Sequence, residues 1–402
     1  MSFASIRYQV AAVEMLRAAV AGDRVAHAYL FVGPRGVGKG LAARAFAKLL
    51  MCAGPRGSGD TLDSCGKCPH CTRIDRGTHP DLYWFRKEED RNDFRISLVT
   101  RRSGDAASPA ITVTESVVLH PMEAPRTVTV LDDAELLNAP AANALLKTLE
   151  EPTPHAVLIL LAADASQLPG TILSRCQWVR FGPLPEEFVA EKVRESLAAQ
   201  AAGPQARGKK PEPPRPTGAD EIAFVCRFAG GSIEQALRLA GSGLWGLKRV
   251  LVGPLAALDE AAALDMAETI AEWGAAEARR QRVPRASAEE TAVLLCEVAK
   301  PLRYVARVRR SSSRLALAAV ASAFRDAAMM AAGATQAVRL TNADQAVALR
   351  ALAAWPMESL GRAVEILADA QAQIGRYVHV ELATENALVQ VARVRLAVAS
   401  RA

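Results

Sequence analysis

Ala28-Tyr29-Leu30-Phe31-Val32-Gly33-Pro34-Arg35-Gly36-Val37-Gly38-Lys39-Gly40 decides the fold of the first part of the chain. An apolar strand runs into a loop holding Gly33, Gly36 and Gly38, and Lys39 opens an Ala-rich helical segment, Lys39–Met51. Strand, glycine loop and helix in that order are what a phosphate-binding loop requires. The glycines let backbone N–H groups turn toward phosphate oxygens, and the helix N-terminus adds partial positive charge. Lys39 is placed to reach terminal phosphates. The next position should carry a Ser or Thr hydroxyl for Mg²⁺, and it is Gly40. The loop reads as able to hold a nucleotide and poorly equipped to hydrolyse it.

Outward from this loop, residues 1–183 alternate between helical and strand patterns. Gln9–Ala21 and Lys39–Met51 read as helices. Ala28–Val32, Leu82–Phe85, Val128–Leu131 and Val157–Ala162 read as strands. Such alternation predicts a mostly parallel sheet covered by helices, an α/β domain. Asp132 follows the strand Val128–Leu131, the place where a phosphate-binding fold holds Mg²⁺. Ala141–Glu151 is an amphipathic helix stopped by Pro152. The charged stretch Arg86–Pro109 has no clear period and reads as a surface insertion without chemistry of its own.

Cys52, Cys65, Cys68 and Cys71 are clustered, whereas Cys176, Cys226 and Cys296 are scattered. Tetrahedral Zn²⁺ needs four soft ligands, and CxxC turns aim two thiolates at one point. Gly66, Lys67, Pro69 and His70 suit the tight turns between them. Four protein ligands leave no open position, so the expected metal is structural zinc, with free thiols as the alternative.

After residue 183 the strand patterns stop. Glu186–Ala201 is helical, Gly203–Ala219 is a Pro- and Lys-rich flexible insertion, and helices resume at Asp220–Phe228. Ser232 is a natural N-cap for Ile233–Leu239. From about residue 245, Ala286–Arg309, Arg314–Ala332 and Met357–Ser400 carry helical periodicity, with Pro301, Gly361 and Gly375 as interruptions. The expected organisation is an α/β domain (1–183), a small helical domain (184–244) and an all-helical C-terminal domain (245–402).

The formal charge of +6 is compatible with a nucleic acid nearby and equally with an Arg-rich soluble surface. Aromatic residues make up only 5% of the chain, which argues against a base-stacking platform. No apolar run reaches the ~20 residues of a membrane span, and no basic-then-apolar leader opens the chain. A cytoplasmic protein is expected.

Taken together, His27–Phe31, the glycine loop, the four cysteines, Gly77-Thr78-His79-Pro80-Asp81, Asn143–Pro152 and Ser174-Arg175-Cys176 resemble the AAA+ clamp-loader subunits of bacterial DNA polymerase III. Within that family the delta-prime type is the nearer match, with the gamma/tau ATPase type as the alternative. The resemblance is specific over residues 5–183 and weaker beyond. It implies an AAA+ domain with a zinc module, a lid, and a helical collar domain that joins a hetero-pentamer with gamma/tau and delta subunits. The assembled complex acts on the sliding clamp and primed DNA. It also implies that Arg175 is an arginine finger, reaching in trans to ATP held by a neighbouring subunit, where a guanidinium stabilises charge on the transferred phosphoryl group.

Three departures favour the delta-prime type. Gly40 lacks the Mg²⁺ hydroxyl. Asp133 stands where the ATPases have a Glu that positions water, and a carboxylate displaced by ~1 Å can lose ~10²-fold in rate. Glu234 stands where they have an Arg that senses phosphates. These losses imply a poor or inactive ATPase, itself not a polymerase. Gly33, Gly36, Gly38, Lys39 and Asp132 remain a degenerate nucleotide site at which ATP or ADP binding stays open and Mg²⁺ is disfavoured. A zinc-containing nucleic-acid-binding module on an AAA+ scaffold is a further alternative.

Overall fold

The computed structural model describes residues 2–87, 94, 96–101, 110–202, 218–280, 299–334, 339–376 and 379–400. The Gly203–Ala219 insertion, apart from its last two residues, most of Arg86–Pro109, and Cys296 therefore lie outside the described residues. The chain divides into two compact units, Met1–Pro185 and Glu186–Ala402.

The first unit is built on five strands, β1 (Ala28–Val32), β2 (Leu82–Phe85), β3 (Thr127–Leu131), β4 (Ala156–Ala162) and β5 (Gln177–Arg180). They lie in the order β2-β3-β4-β1-β5, and every neighbouring pair is parallel. β3 and β4 are buried along their whole length, as central strands covered on both faces must be. On one face Tyr29 packs edge-on against Phe46, ring centroids 5.1 Å apart, and Phe31 meets Phe181 at 5.3 Å. On the other, Ala28, Leu30, Leu158 and Leu160 share a core with Leu145, Leu149, Val113 and Val117. Helices α1 (Val10–Ala21), α2 (Lys39–Met51), α3 (Pro69–Arg76), α4 (Ile96–Val99), α5 (Val113–Val118), α6 (Ala139–Glu150) and α7 (Gly170–Leu173) supply these layers and their connections. The result is the expected parallel α/β architecture.

Two features differ from the sequence reading. β5 was not expected: it is a four-residue edge strand in which only Val179 is buried, so its strand character comes from pairing with Tyr29–Val32. The Arg86–Pro109 stretch is not merely a surface insertion. Phe94 is fully buried, its amide donates to the Leu136 carbonyl, and Val99 joins the same core.

The second unit is helical among its described residues: α8 (Glu186–Ala202), α9 (Ala219–Phe228), α10 (Ile233–Ala240), α11 (Leu244–Val252), α12 (Glu260–Arg280), α13 (Ala299–Ala331), α14 (Ala346–Ala353), α15 (Met357–Gly375) and α16 (Val380–Ala399). The Ser232 hydroxyl accepts the Gln235 amide and caps α10. The described parts of Ala286–Arg309 and Arg314–Ala332 form one helix, α13, because Ser311, Ser312 and Ser313 do not break it and Pro301 falls in its first turn, where no amide donor is needed. Gly361 sits inside α15 rather than interrupting it, and the break comes after Gly375 instead. α13 packs on α12, α14 and α15 and is the spine of this unit.

Candidate functional site

All five strands run the same way, so the segments that follow them converge on one edge of the sheet. That edge carries the glycine loop after β1, Arg86 after β2, and Asp132 and Asp133 after β3. Gly36 and Gly38 have φ of 71° and 105°, conformations L side chains rarely adopt. At Gly33 an added Cβ would lie 2.2 Å from the Phe181 carbonyl oxygen, so the loop leaves β1 against the end of β5 with no room for a side chain. Buried Gln9 holds the same corner. Its amide nitrogen donates to the Gly182 and Val37 carbonyls, and its oxygen accepts the Gly182 amide.

Lys39 is buried and folds back on the loop, its Nζ donating to the carbonyls of Gly33 (2.5 Å) and Pro34 (2.8 Å). Burial lowers its pKa, against which Glu135 and Asp132 act as nearby negative charges. Asp132 is paired with Arg86 (3.1 Å). Asp133, at φ 60°, is paired with Arg35 at 2.7 Å, and the same guanidinium lies 3.4 Å from Glu135. Burial raises the Asp133 pKa, and Arg35 opposes it.

Position 40 offers no side chain, and a Cβ there would lie 3.7 Å from the Trp84 ring. Mg²⁺ in such a loop draws on a hydroxyl at this position and a carboxylate at the strand end. Here the hydroxyl is missing and the carboxylates already hold guanidinium groups. These residues do not fit a Mg²⁺ ion.

Arg175 lies elsewhere. Because Gln177 pairs in register with Tyr29, Arg175 precedes β5 at the amino edge of the sheet, opposite the glycine loop. A five-residue strand spans ~16 Å, so its own loop is beyond easy reach. Arg175 is held by Glu150 (2.9 Å) and by the Thr171 carbonyl (3.0 Å), with its side chain 36% exposed. Ser174 and Cys176 flank it, and Cys176 is buried.

The four cysteines do come together. Their sulfurs all lie within 4.8 Å of one another, with Cys52–Cys71 at 3.7 Å and Cys65–Cys71 at 4.0 Å. Four thiolates at ~2.3 Å around a tetrahedral zinc would lie ~3.8 Å apart, so the donor set fits the ion. Amides of Cys65 and Cys68 donate to the sulfurs of Cys52 and Cys65. Hydrogen bonds from the Lys67 and Cys68 amides pull the Cys65 thiol down to about 6, whereas burial pushes Cys71 up to about 12. The module is pinned to α2 through Lys48–Asp75 at 2.7 Å, and to the sheet by a chain running from His70 through His79 to the Asp81 amide.

Residues 8–185 match the family described as DNA polymerase III, delta subunit. The subunit delta' of Pseudomonas aeruginosa is 35% identical over 219 residues, 54% of this chain and 57% of that protein.

Over residues 8–185 the chain is similar to the clamp-loader subunits of DNA polymerase III.

The tau subunit of Salmonella typhimurium is also a relative, 29% identical over 322 residues, 78% of this chain and 45% of its own length. The chain thus spans about half the length of these curated relatives. A solved gamma subunit-related protein from Thermotoga maritima aligns over 96% of this chain and 99% of its own at 14% identity, with a TM-score of 0.40 that is too low to carry an argument. Within the first unit, sequence reasoning missed Arg35, Arg86, Glu135, Trp84 and Gln9. The role of each follows no local pattern, since each acts on a residue 28 or more positions away that only the fold brings near. Glu234, on α10 in the second unit, is exposed and paired with Arg238.

Proposed function

We propose that the chain is a delta-prime-type subunit of the clamp loader. In this reading it couples ATP hydrolysis in neighbouring gamma/tau subunits to loading of the sliding clamp on primed DNA, beside the delta subunit. Residues 1–183 form the AAA+ domain, 184–244 the lid, and 245–402 the collar that assembles the hetero-pentamer in the cytoplasm. Cys52, Cys65, Cys68 and Cys71 hold a structural zinc. Arg175 is the finger given to the neighbour's ATP.

The observation that carries this reading is the position of Arg175 at the sheet edge opposite its own glycine loop, partly exposed and held by Glu150 and the Thr171 carbonyl. An exposed pair such as Arg175–Glu150 is worth ~0–1 kcal/mol, so Arg175 is released from Glu150 at little cost when a phosphate offers a better partner. The paired acids at its own loop, Asp132 with Arg86 and Asp133 with Arg35, support a subunit that does not itself turn over ATP.

The test is reconstitution with the other loader subunits. Arg175→Ala should leave the assembly intact and lower its DNA-stimulated ATPase at the affected site by ~10³-fold, the scale of arginine fingers. Unchanged turnover would remove the assignment. Steady-state hydrolysis by the isolated chain at a rate matching competent AAA+ ATPases would instead favour a gamma-type enzyme.

A further inference from the structure

We propose that the Gly33–Lys39 loop takes a nucleoside di- or triphosphate without a divalent cation, with Arg35 and Arg86 neutralising the neighbouring carboxylates in the cation's place. The proposal stands on the loop and its surroundings and is independent of Arg175.

In a Mg²⁺-dependent loop, strand-end carboxylates and phosphates are both anionic, and the cation between them removes their repulsion. Here guanidinium groups stand where that compensation is needed. Arg86 Nε lies 3.1 Å from Asp132 Oδ2, and Arg35 lies 2.7 Å from Asp133 Oδ1 and 3.4 Å from Glu135 Oε1. A polyphosphate entering the loop therefore meets carboxylates already paired.

The wall beside position 40 is cationic as well. The Trp84 ring comes within 3.7 Å of where a Cβ at Gly40 would be, and Arg44 and Arg86 lie over that ring at 5.3 and 5.4 Å. Arginine covering an indole keeps its charge while shedding little water, because guanidinium is weakly hydrated. The loop's phosphate-facing parts are kept in place. Gly36 and Gly38 hold their positive φ, and the first amides of α2 have no intrahelical acceptor. Lys39 is held within the loop by two neutral carbonyls. A phosphate oxygen adds its own negative charge opposite the ammonium, which a carbonyl dipole does not, so phosphate oxygens displace those carbonyls as its partners. Glu135 supplies the negative potential that favours the protonated amine, and one of its oxygens is buried without a hydrogen-bond partner.

The experiment is calorimetric titration of the full-length chain with ADP and with ATP, in EDTA and again in excess Mg²⁺. The expected result is saturable binding whose Kd differs by less than about threefold between the two conditions. Lys39→Ala should weaken binding by about tenfold or more in both, with circular dichroism reporting that the variant is folded. A chain binding neither nucleotide in either condition overturns the proposal. So does binding tightened by more than about threefold on adding Mg²⁺. Neither outcome bears on Arg175, whose test is the ATPase of the assembled complex.

Discussion

Asp81→Ala should unfold the first unit, residues 1–185, more readily than any surface substitution, and the cost follows from its contacts. The carboxylate is 1% exposed and accepts three backbone amides from Met122 (2.6 Å), Glu123 (2.9 Å) and Ala124 (2.8 Å). It thereby ties the start of β2 to the turn that feeds β3. The Ala124 amide is buried and, without the carboxylate, forfeits a charged hydrogen bond worth ~2–3 kcal/mol. The other two amides lie near the surface, where water replaces the partner and the loss falls to ~0.5–1 kcal/mol each. The sum is a loss of ~3–5 kcal/mol for Asp81→Ala and about half for Asp81→Asn, which keeps one acceptor. Burial works to raise the Asp81 pKa, and the three amides outweigh it, holding the carboxyl below its usual 3.8. A depressed folded-state pKa stabilises above the unfolded value and is lost as pH falls through the folded one. The gap between wild type and Asp81→Ala should therefore be full at neutral pH and close only below about pH 4. Urea denaturation, with this unit read separately by hydrogen exchange in β3 and β4, measures both effects. A loss under ~1 kcal/mol, or a gap unchanged down to pH 3, would refute the reasoning.

Gly33→Ala should cost several kcal/mol, roughly 2–4, because its Cβ meets the Phe181 carbonyl at 2.2 Å and forces β1 and β5 apart; an unchanged melting temperature would contradict this close approach. Metal analysis should find about one zinc per chain, with chelation lowering the melting temperature and Cys71→Ser weakening retention; carefully handled metal-free protein of full stability would defeat the zinc reading. Lys248 is fully buried, with Nζ 2.5 Å from Asp344 and 4.3 Å from the centre of the Trp245 ring. Lys248→Met should destabilise by ~2–4 kcal/mol by stranding Asp344, and adding Asp344→Asn should recover much of it; equal stability of the single variant and wild type would show the pair to be inert.

Much of the fold was legible in the sequence because its determinants are local. β1 and β4 are unbroken apolar runs, and β3 alternates Thr with apolar residues that are all β-branched or Leu, a pattern that suits strands buried on both faces. β5 was not legible, since only Val179 of its four residues is buried and its partner lies about 150 positions earlier. Phe94 was hidden for a related reason: its charged surroundings gave no hint that one aromatic would drop into the core.

The sequence by itself determined the glycine loop, the missing hydroxyl at Gly40 and the cysteine spacing, all of which depend on residue type and short-range order. Backbone freedom at glycine, and the side-chain chemistry at each position, need no partner to be read. Tertiary structure alone decided that Arg86 and Arg35 occupy the acids at the end of β3, and that Arg175 faces away from its own loop. Parallel pairing sends every strand end to one edge and every strand start to the other. Whether two charged groups meet or stay ~16 Å apart is therefore set by strand order and register, which no local pattern encodes.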